Sequence, residues 1–302
     1  NKIFNLRMIF KNKNNEFMGI TYMILCMFFF SINDAFIKYI LFLYKDITIL
    51  GEIIFIRGIC STVILGLYLY YKKKLSFKVI SSKPLHLRGL VESIAAIFFF
   101  LGLMYLPFGE LYSLMNLAPI LITASGALIL GEKVGWRRWT AVILGFIGVM
   151  IVIKPHDLQF GYAFIYPLIS AIFIAQRDTI TRKYLEKFDS LQVVFITSLS
   201  VTIFFSFGML LNFKPINLEI FIFIFLSAIF VTAGYYFSVL TIKVANISTT
   251  SPFRYTIIIF GIILGYFIFN ETPSINMIFG SILIISSGIF IIFRQKKIGL
   301  IK

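Results

Sequence analysis

The sequence predicts an all-α integral membrane protein: ten transmembrane helices arranged as two inverted five-helix repeats. Three observations predict it. Apolar runs of about 20 residues, each long enough to cross a hydrocarbon core of about 30 Å, recur along the chain. Of 302 residues, 59% are hydrophobic, only 14% are charged and 36 are Phe, too little polar surface for a water-soluble protein of this size. The basic residues fall between the runs on alternate sides. With the N-terminus on the cytoplasmic side, that side receives 21 Lys and Arg and the opposite side only Lys45, Lys154 and Lys214, which is the positive-inside pattern.

The spans are read at 17–43, 47–71, 87–105, 110–131, 137–154, 160–184, 191–211, 218–241, 247–270 and 275–293. A basic N-terminus, 1–16, precedes them and lacks the small-residue cleavage site of a signal peptide, so the first helix is expected to be retained. The first repeat is 17–154, the second 160–293, and 294–302 is a basic tail; both termini are expected in the cytoplasm. The longest connection, Lys72 to Arg88, reads as a basic anchor touching anionic lipid. The net charge of +15 serves topology, because no separate basic domain exists to hold nucleic acid.

Span 1 carries "SINDAFIKY". Asp34 and Lys38 are one turn apart on one helix face and read either as a coupling or substrate-orienting pair or as a static ion pair locking the helix. Span 2 carries Arg57 with no acid one turn away, which calls for a ligand or for a partner such as Asp34. Span 3 carries Glu92, about 9 Å from the inner face by helical rise. Span 4 holds Asn116 and Pro119 and ends at Glu132. Span 5 has Trp136 and Trp139 at the interface, with Gly145–Gly148 permitting close packing. Span 6 holds Arg177 beside Asp178. Span 7 has no charge near Ser200, the counterpart of Arg57. Span 9 opens with Pro252, Arg254 and Tyr255, carries Gly261–Gly265 and ends at Glu271. Arg254 offers a fork for carboxylate or phosphate and Tyr255 an aromatic face plus a hydroxyl. Arg254 has no acid within four residues, so Glu92 is its expected partner between cycles. Glu132 and Glu271, each closing a span, read as braces at helix corners.

The two halves echo each other in order. "NDAFIKYILFLYKD" at 33–46 resembles "RDTITRKYLEKFD" at 177–189, and Glu132 answers Glu271. Because each half holds an odd number of spans, the second enters from the opposite side, the signature of carriers that alternate access by exchanging the conformations of their halves. Asp34 and Asp178 lie about 24 Å and 27 Å along helices running in opposite directions, so a shared aspartyl catalytic site is not expected. No HExxH, GxSxG or phosphate-binding loop occurs. Cys26 and Cys60 lie in spans, and His86 and His156 flank different spans as interfacial side chains. Nothing calls for a metal or cofactor.

The stretches "SINDAFIKY", "FIRG", "LRGL", "NLAPILITASGALILGEKVGWRRWTAVILGFIGVMIVIKP" and "TTSPFRYTIIIFGIILGYFIFNETPS" resemble the EamA-type drug/metabolite transporter superfamily over 17–293. "ND…K", "GFIGV…KPH", "SPFRY" and "FNE" are similar to the bacterial S-adenosylmethionine uptake group; amino-acid exporters and riboflavin carriers share much of the pattern. The resemblance implies ten helices, no ATP hydrolysis and a cavity lined largely by helices 3, 4, 8 and 9. The expectation is a secondary active transporter, not an enzyme, in a bacterial inner membrane. It would move S-adenosylmethionine, an amino acid or a related metabolite, coupled to protons or to exchange, as a monomer or homodimer among membrane lipids. A lipid-linked-sugar flippase of the same fold and a membrane scaffold are the alternatives. The expected substrate contacts are Arg57, Glu92, Asn116, Arg254 and Tyr255; the expected coupling groups are Asp34, Lys38, Arg177 and Asp178.

Overall fold

The computed structural model describes residues 2–44, 47–118, 136–153, 158–184, 188–209, 216–245 and 250–297. Among them every regular element is helical. The helices are α1 (Lys2–Tyr44), α2 (Leu50–Tyr71), α3 (Phe77–Ile80), α4 (Lys83–Tyr105), α5 (Phe108–Met115), α6 (Trp136–Ile153), α7 (Ile165–Tyr184), α8 (Ser190–Met209), α9 (Leu218–Val244), α10 (Thr256–Phe269) and α11 (Ile275–Lys297). Short 3₁₀ turns precede α2, α7 and α10, at Ile47–Ile49, Leu158–Phe164 and Ser251–Tyr255.

Among the described residues, five segments are long and apolar enough to cross a bilayer: Phe17–Tyr44, Leu50–Tyr71, Lys83–Tyr105, Ser190–Phe207 and Leu218–Thr241. Ile143–Val152, Phe253–Phe269 and Ile275–Ser287 are shorter apolar stretches. Large apolar side chains such as Leu67, Phe146, Phe207, Phe267 and Phe279 are exposed. So many exposed large apolar side chains suit lipid and not water. The predicted fourth span, 110–131, is described only at its start, as α5; Pro119, Glu132, Lys154, His156 and Lys214 lie outside the described residues.

Local chemistry sets the helix ends. Leu106 is extended, with φ −110° and ψ 146°, as the residue before Pro107 must be, and this separates α4 from α5. Asn217 caps α9 by accepting the Ile220 amide at 2.9 Å. Asn270 ends α10 in the left-handed region, φ 54°, a conformation asparagine tolerates better than most residues. That turn folds the chain back so that the Glu271 amide reaches the Gly265 carbonyl at 2.9 Å.

Packing runs mostly between the two halves. α1 lies along α9, α2 along α8, α4 against α7 and α8, α5 against α10, and α6 along α11. In a bilayer such contacts rest on close fit and interhelical hydrogen bonds. At the α6–α11 crossing, a Cβ on Gly280 would sit 2.6 Å from the Gly148 carbonyl oxygen and 2.5 Å from Val152 Cγ2. Glycine is therefore required there for the backbones to meet.

Candidate functional site

A cavity of about 160 Å³ opens between the halves, room for roughly ten waters at about 15 Å³ each. Asn33 and Asp34 come from α1, Arg57 from α2, Glu92 from α4, Tyr112 and Asn116 from α5 and its C-cap. The second half supplies Arg177 from α7, Tyr235 from α9 and Arg254 from the 3₁₀ turn before α10. Aromatic, Met, Ala and branched aliphatic side chains fill the rest of the wall. Elements at the expected spans 3, 4, 8 and 9 contribute, but spans 1, 2 and 6 carry much of the charge.

Two electrostatic groupings face this space. In the first, Arg177 donates to Glu92 at 2.8 Å and twice to Asp178, at 3.0 and 2.8 Å. Arg254 Nη1 donates to the other Asp178 oxygen at 2.8 Å, and the Tyr235 hydroxyl donates to Glu92. Four ionised groups are thus interlocked, with Asp178 bridging two guanidinium groups. In the second, Asn33 is the hub. Its Nδ2 donates to Asp34 at 2.8 Å, while its Oδ1 accepts from Arg57 at 3.1 Å and from Ser227 at 2.7 Å. The Tyr112 hydroxyl donates to Asp34 at 2.7 Å, and the Arg57 guanidinium lies 5.2 Å from the centre of the Phe100 ring, within cation–π range.

The geometry corrects two pairings read from spacing. Asp34 and Lys38 do not bond each other. Lys38 instead donates to Glu271 at 2.5 Å and to the Leu106 carbonyl at 3.0 Å, over the Phe108 ring. Residues one helical turn apart share a face, but here tertiary partners across the bundle win both of them. Arg254 is held by Asp178, not by Glu92, because Arg177 occupies Glu92 from the opposite side. Among the described residues, the hydrogen bonds that join Arg57 to Asp34 run through Asn33.

Glu271 follows the end of α10. Its second oxygen accepts the Phe108 amide at 2.9 Å, capping the N-terminus of α5 in the other half, where a carboxylate is favoured. The following helix, α11, is capped by Ser274 instead. Tyr255 is absent from the cavity wall; its ring is buried and its hydroxyl has no hydrogen-bond partner among the described residues. Asn116 reaches the wall and ties back to the Tyr112 carbonyl at 2.9 Å.

Sequence reasoning missed Tyr112, Tyr235, Arg88 and the bridging role of Asn33. Arg88, counted with the basic loop, is buried in α4 and donates to Thr181 at 2.6 Å and to Thr197. Its place beside Gly89 within "LRGL" was the available signal. Among 15 Tyr, nothing in spacing marks the two that bond buried acids.

The model of the EamA-like transporter family matches residues 17–154 and 159–294. The chain belongs to the EamA-like transporter family. It is therefore a membrane transporter of a small molecule and not an enzyme. It is 28% identical over 288 residues to the S-adenosylmethionine uptake transporter of Rickettsia prowazekii (strain Madrid E), covering 92% of this chain and 94% of the relative. The corresponding protein of Rickettsia bellii (strain RML369-C) is 28% identical over 93% of this chain and 95% of its own. A riboflavin transporter of Rhizobium johnstonii (strain DSM 114642 / LMG 32736 / 3841) is 26% identical over 65% of each chain. A crystal structure with 14% identity superposes with a TM-score of 0.60, covering 95% of this chain and 99% of that one, a likeness of fold alone.

Proposed function

We propose that the chain is a secondary active carrier that takes S-adenosylmethionine, or a related amino-acid-bearing metabolite, across a bacterial inner membrane by alternating access. The observation that carries this is the charge-lined cavity between the halves, bounded by ion pairs that join one half to the other. Lys38–Glu271 ties α1 to the end of α10, and Glu92–Arg177–Asp178–Arg254 ties α4 to α7 and to the start of α10. These ties sit toward opposite ends of α10, so opening one while the other holds exposes the cavity to one side at a time.

The helix pairings support ten membrane helices in two inverted halves. Counting α1, α2, α4, α5 and α6 as one half and α7 to α11 as the other, exchange of halves turns the α1–α9 pair into the α7–α4 pair. It likewise turns α4–α8 into α9–α2, and leaves α2–α8, α5–α10 and α6–α11 unchanged; all these pairs are in contact. The basic bias of 21 against 3 supports both termini in the cytoplasm, with Lys38–Glu271 toward the outer face. Arg57, Glu92, Asn116 and Arg254 contact substrate in this account, Asp178 positions Arg254, and Tyr255 has no direct part. Transport is coupled to protons or to exchange with a second metabolite.

The test is uptake of radiolabelled S-adenosylmethionine into liposomes containing the purified chain. Saturable uptake above empty liposomes, competed by unlabelled compound, is the expected outcome. Flux equal to that of empty liposomes for S-adenosylmethionine, amino acids and riboflavin alike would overturn the reading.

A further inference from the structure

Five charged side chains line the cavity, and they are not equivalent. Glu92, Arg177 and Arg254 are each locked in an ion pair at 2.8 Å. Asp34 and Arg57 have no ion-pair partner among the described residues, yet each is only 6% exposed. They attract each other across the Asn33 amide that bonds both, but buried charges held apart in this way are costly in a bilayer and mark a functional position. Both groups also keep unused bonding capacity. Arg57 has five N–H donors, of which one is engaged among the described residues, to Asn33; the Asp34 carboxylate has roughly four acceptor sites, of which two are filled among them, by Asn33 and Tyr112.

Asn33 shows what shape fits between them. Its amide gives a donor to Asp34 on one side and an acceptor to Arg57 on the other. That is the neutral imitation of a group carrying a positive donor and a negative acceptor a few bonds apart. We propose that Asp34 and Arg57 form a zwitterion clamp, in which Arg57 takes the α-carboxylate of the substrate and Asp34 takes its α-ammonium. The proposal rests on the carrier reading above and names the part of the substrate that the site selects.

A zwitterion gives each of the two groups a direct ion pair from one molecule, so it is favoured over a ligand that carries only one charge. A phosphate-bearing lipid-linked sugar would satisfy Arg57 but place its anion beside Asp34. The rest of the substrate lies against Phe30, Phe99, Phe100 and Tyr112 and beside Met27 and Met115, which line the same cavity. Such a wall accepts a flat ring by stacking and a sulfonium or ammonium by cation–π attraction. Amino acids with short polar side chains leave that wall unfilled and bind more weakly.

The test begins with the unmodified full chain in detergent, so it does not depend on any variant folding. Binding is measured for S-adenosylmethionine, for decarboxylated S-adenosylmethionine, for the deaminated 2-oxo analogue and for 5′-methylthioadenosine. Removal of either charge is expected to weaken binding by about 10- to 100-fold, as for a charge-assisted hydrogen bond, and 5′-methylthioadenosine to bind weakest. Arg57→Gln should weaken S-adenosylmethionine by the same factor but leave the decarboxylated compound within about twofold of its wild-type value; Asp34→Asn should do the same with the deaminated compound.

Equal binding of all four compounds would overturn the clamp while leaving the carrier reading in place. Uptake of riboflavin but of no zwitterion would also overturn it. Absence of binding and uptake for every compound would overturn both.

Discussion

Lys38 Nζ lies 2.5 Å from Glu271 Oε1, and the same carboxylate accepts the amide of Phe108 through its other oxygen. One side chain thus fastens α1, the end of α10 and the start of α5. Because Phe108 and Phe269 also face the ammonium at 4.5 and 5.3 Å, the joint is largely dry, and in the proposed cycle its rupture would free this end of the bundle.

Glu271→Gln should lower stability by about 3 kcal/mol, since it strands a mostly buried ammonium. Lys38→Met on top of it should cost less than the sum of the two single changes. Asp34→Asn combined with Lys38→Met should be additive within about 0.5 kcal/mol, because those residues do not bond each other. Thermal unfolding in detergent, run as two double-mutant cycles, separates the two pairings.

Arg177 and Arg254 should differ although both bond Asp178. Arg177→Ala leaves Glu92 without a cation and Asp178 with only one, for an expected loss of about 3–5 kcal/mol. Arg254→Ala leaves Asp178 still bonded twice by Arg177, so its loss should be about half as large while uptake falls sharply. Denaturation curves and liposome uptake, compared for the same preparations, check the ordering.

The membrane class and, among the described residues, the places of the helices were legible in the sequence because hydropathy and charge bias act locally along the chain. The acids and bases of the site were legible for a related reason: Asp34, Arg57, Glu92, Arg177 and Arg254 stand out against apolar neighbours. Who bonds whom was not. The partners of Lys38 and Arg254 lie 233 and 76 positions away, and their choice depends on helix rotation, which an apolar sequence leaves open. The bridging role of Asn33 had no local signal, since its carbonyl's partners, Arg57 and Ser227, are on other helices.

Gly280→Ala should destabilise the α6–α11 pair by about 1–3 kcal/mol, because the new methyl meets a backbone oxygen that cannot rotate away. Ile143→Ala, on the exposed face of α6, should change stability by no more than about 0.5 kcal/mol. Equal effects from the two substitutions in thermal unfolding would contradict this packing.

At the surface, Lys74 bonds Asp189 at 2.5 Å, joining the basic loop to the residue before α8. The Lys74 ammonium, with Lys243 farther off at 3.8 Å, holds the Asp189 carboxyl below its ordinary pKa. A depressed carboxyl contributes stability above the ordinary carboxylate range and loses it as pH falls through the folded value. Asp189→Asn should therefore flatten the acid side of the stability profile, measured between pH 7 and pH 3. As an exposed contact it should cost less than about 1 kcal/mol at neutral pH and leave uptake unchanged.

In the proposed cycle the cavity between the halves opens to each side of the membrane in turn. With Cys26 and Cys60 replaced by Ala, Asn116→Cys places a single thiol at the cavity wall. In sealed vesicles of known orientation, a membrane-impermeant thiol reagent should modify it from either side, and S-adenosylmethionine should slow the reaction from both. Modification from one side only, or at a rate indifferent to S-adenosylmethionine, would contradict the account.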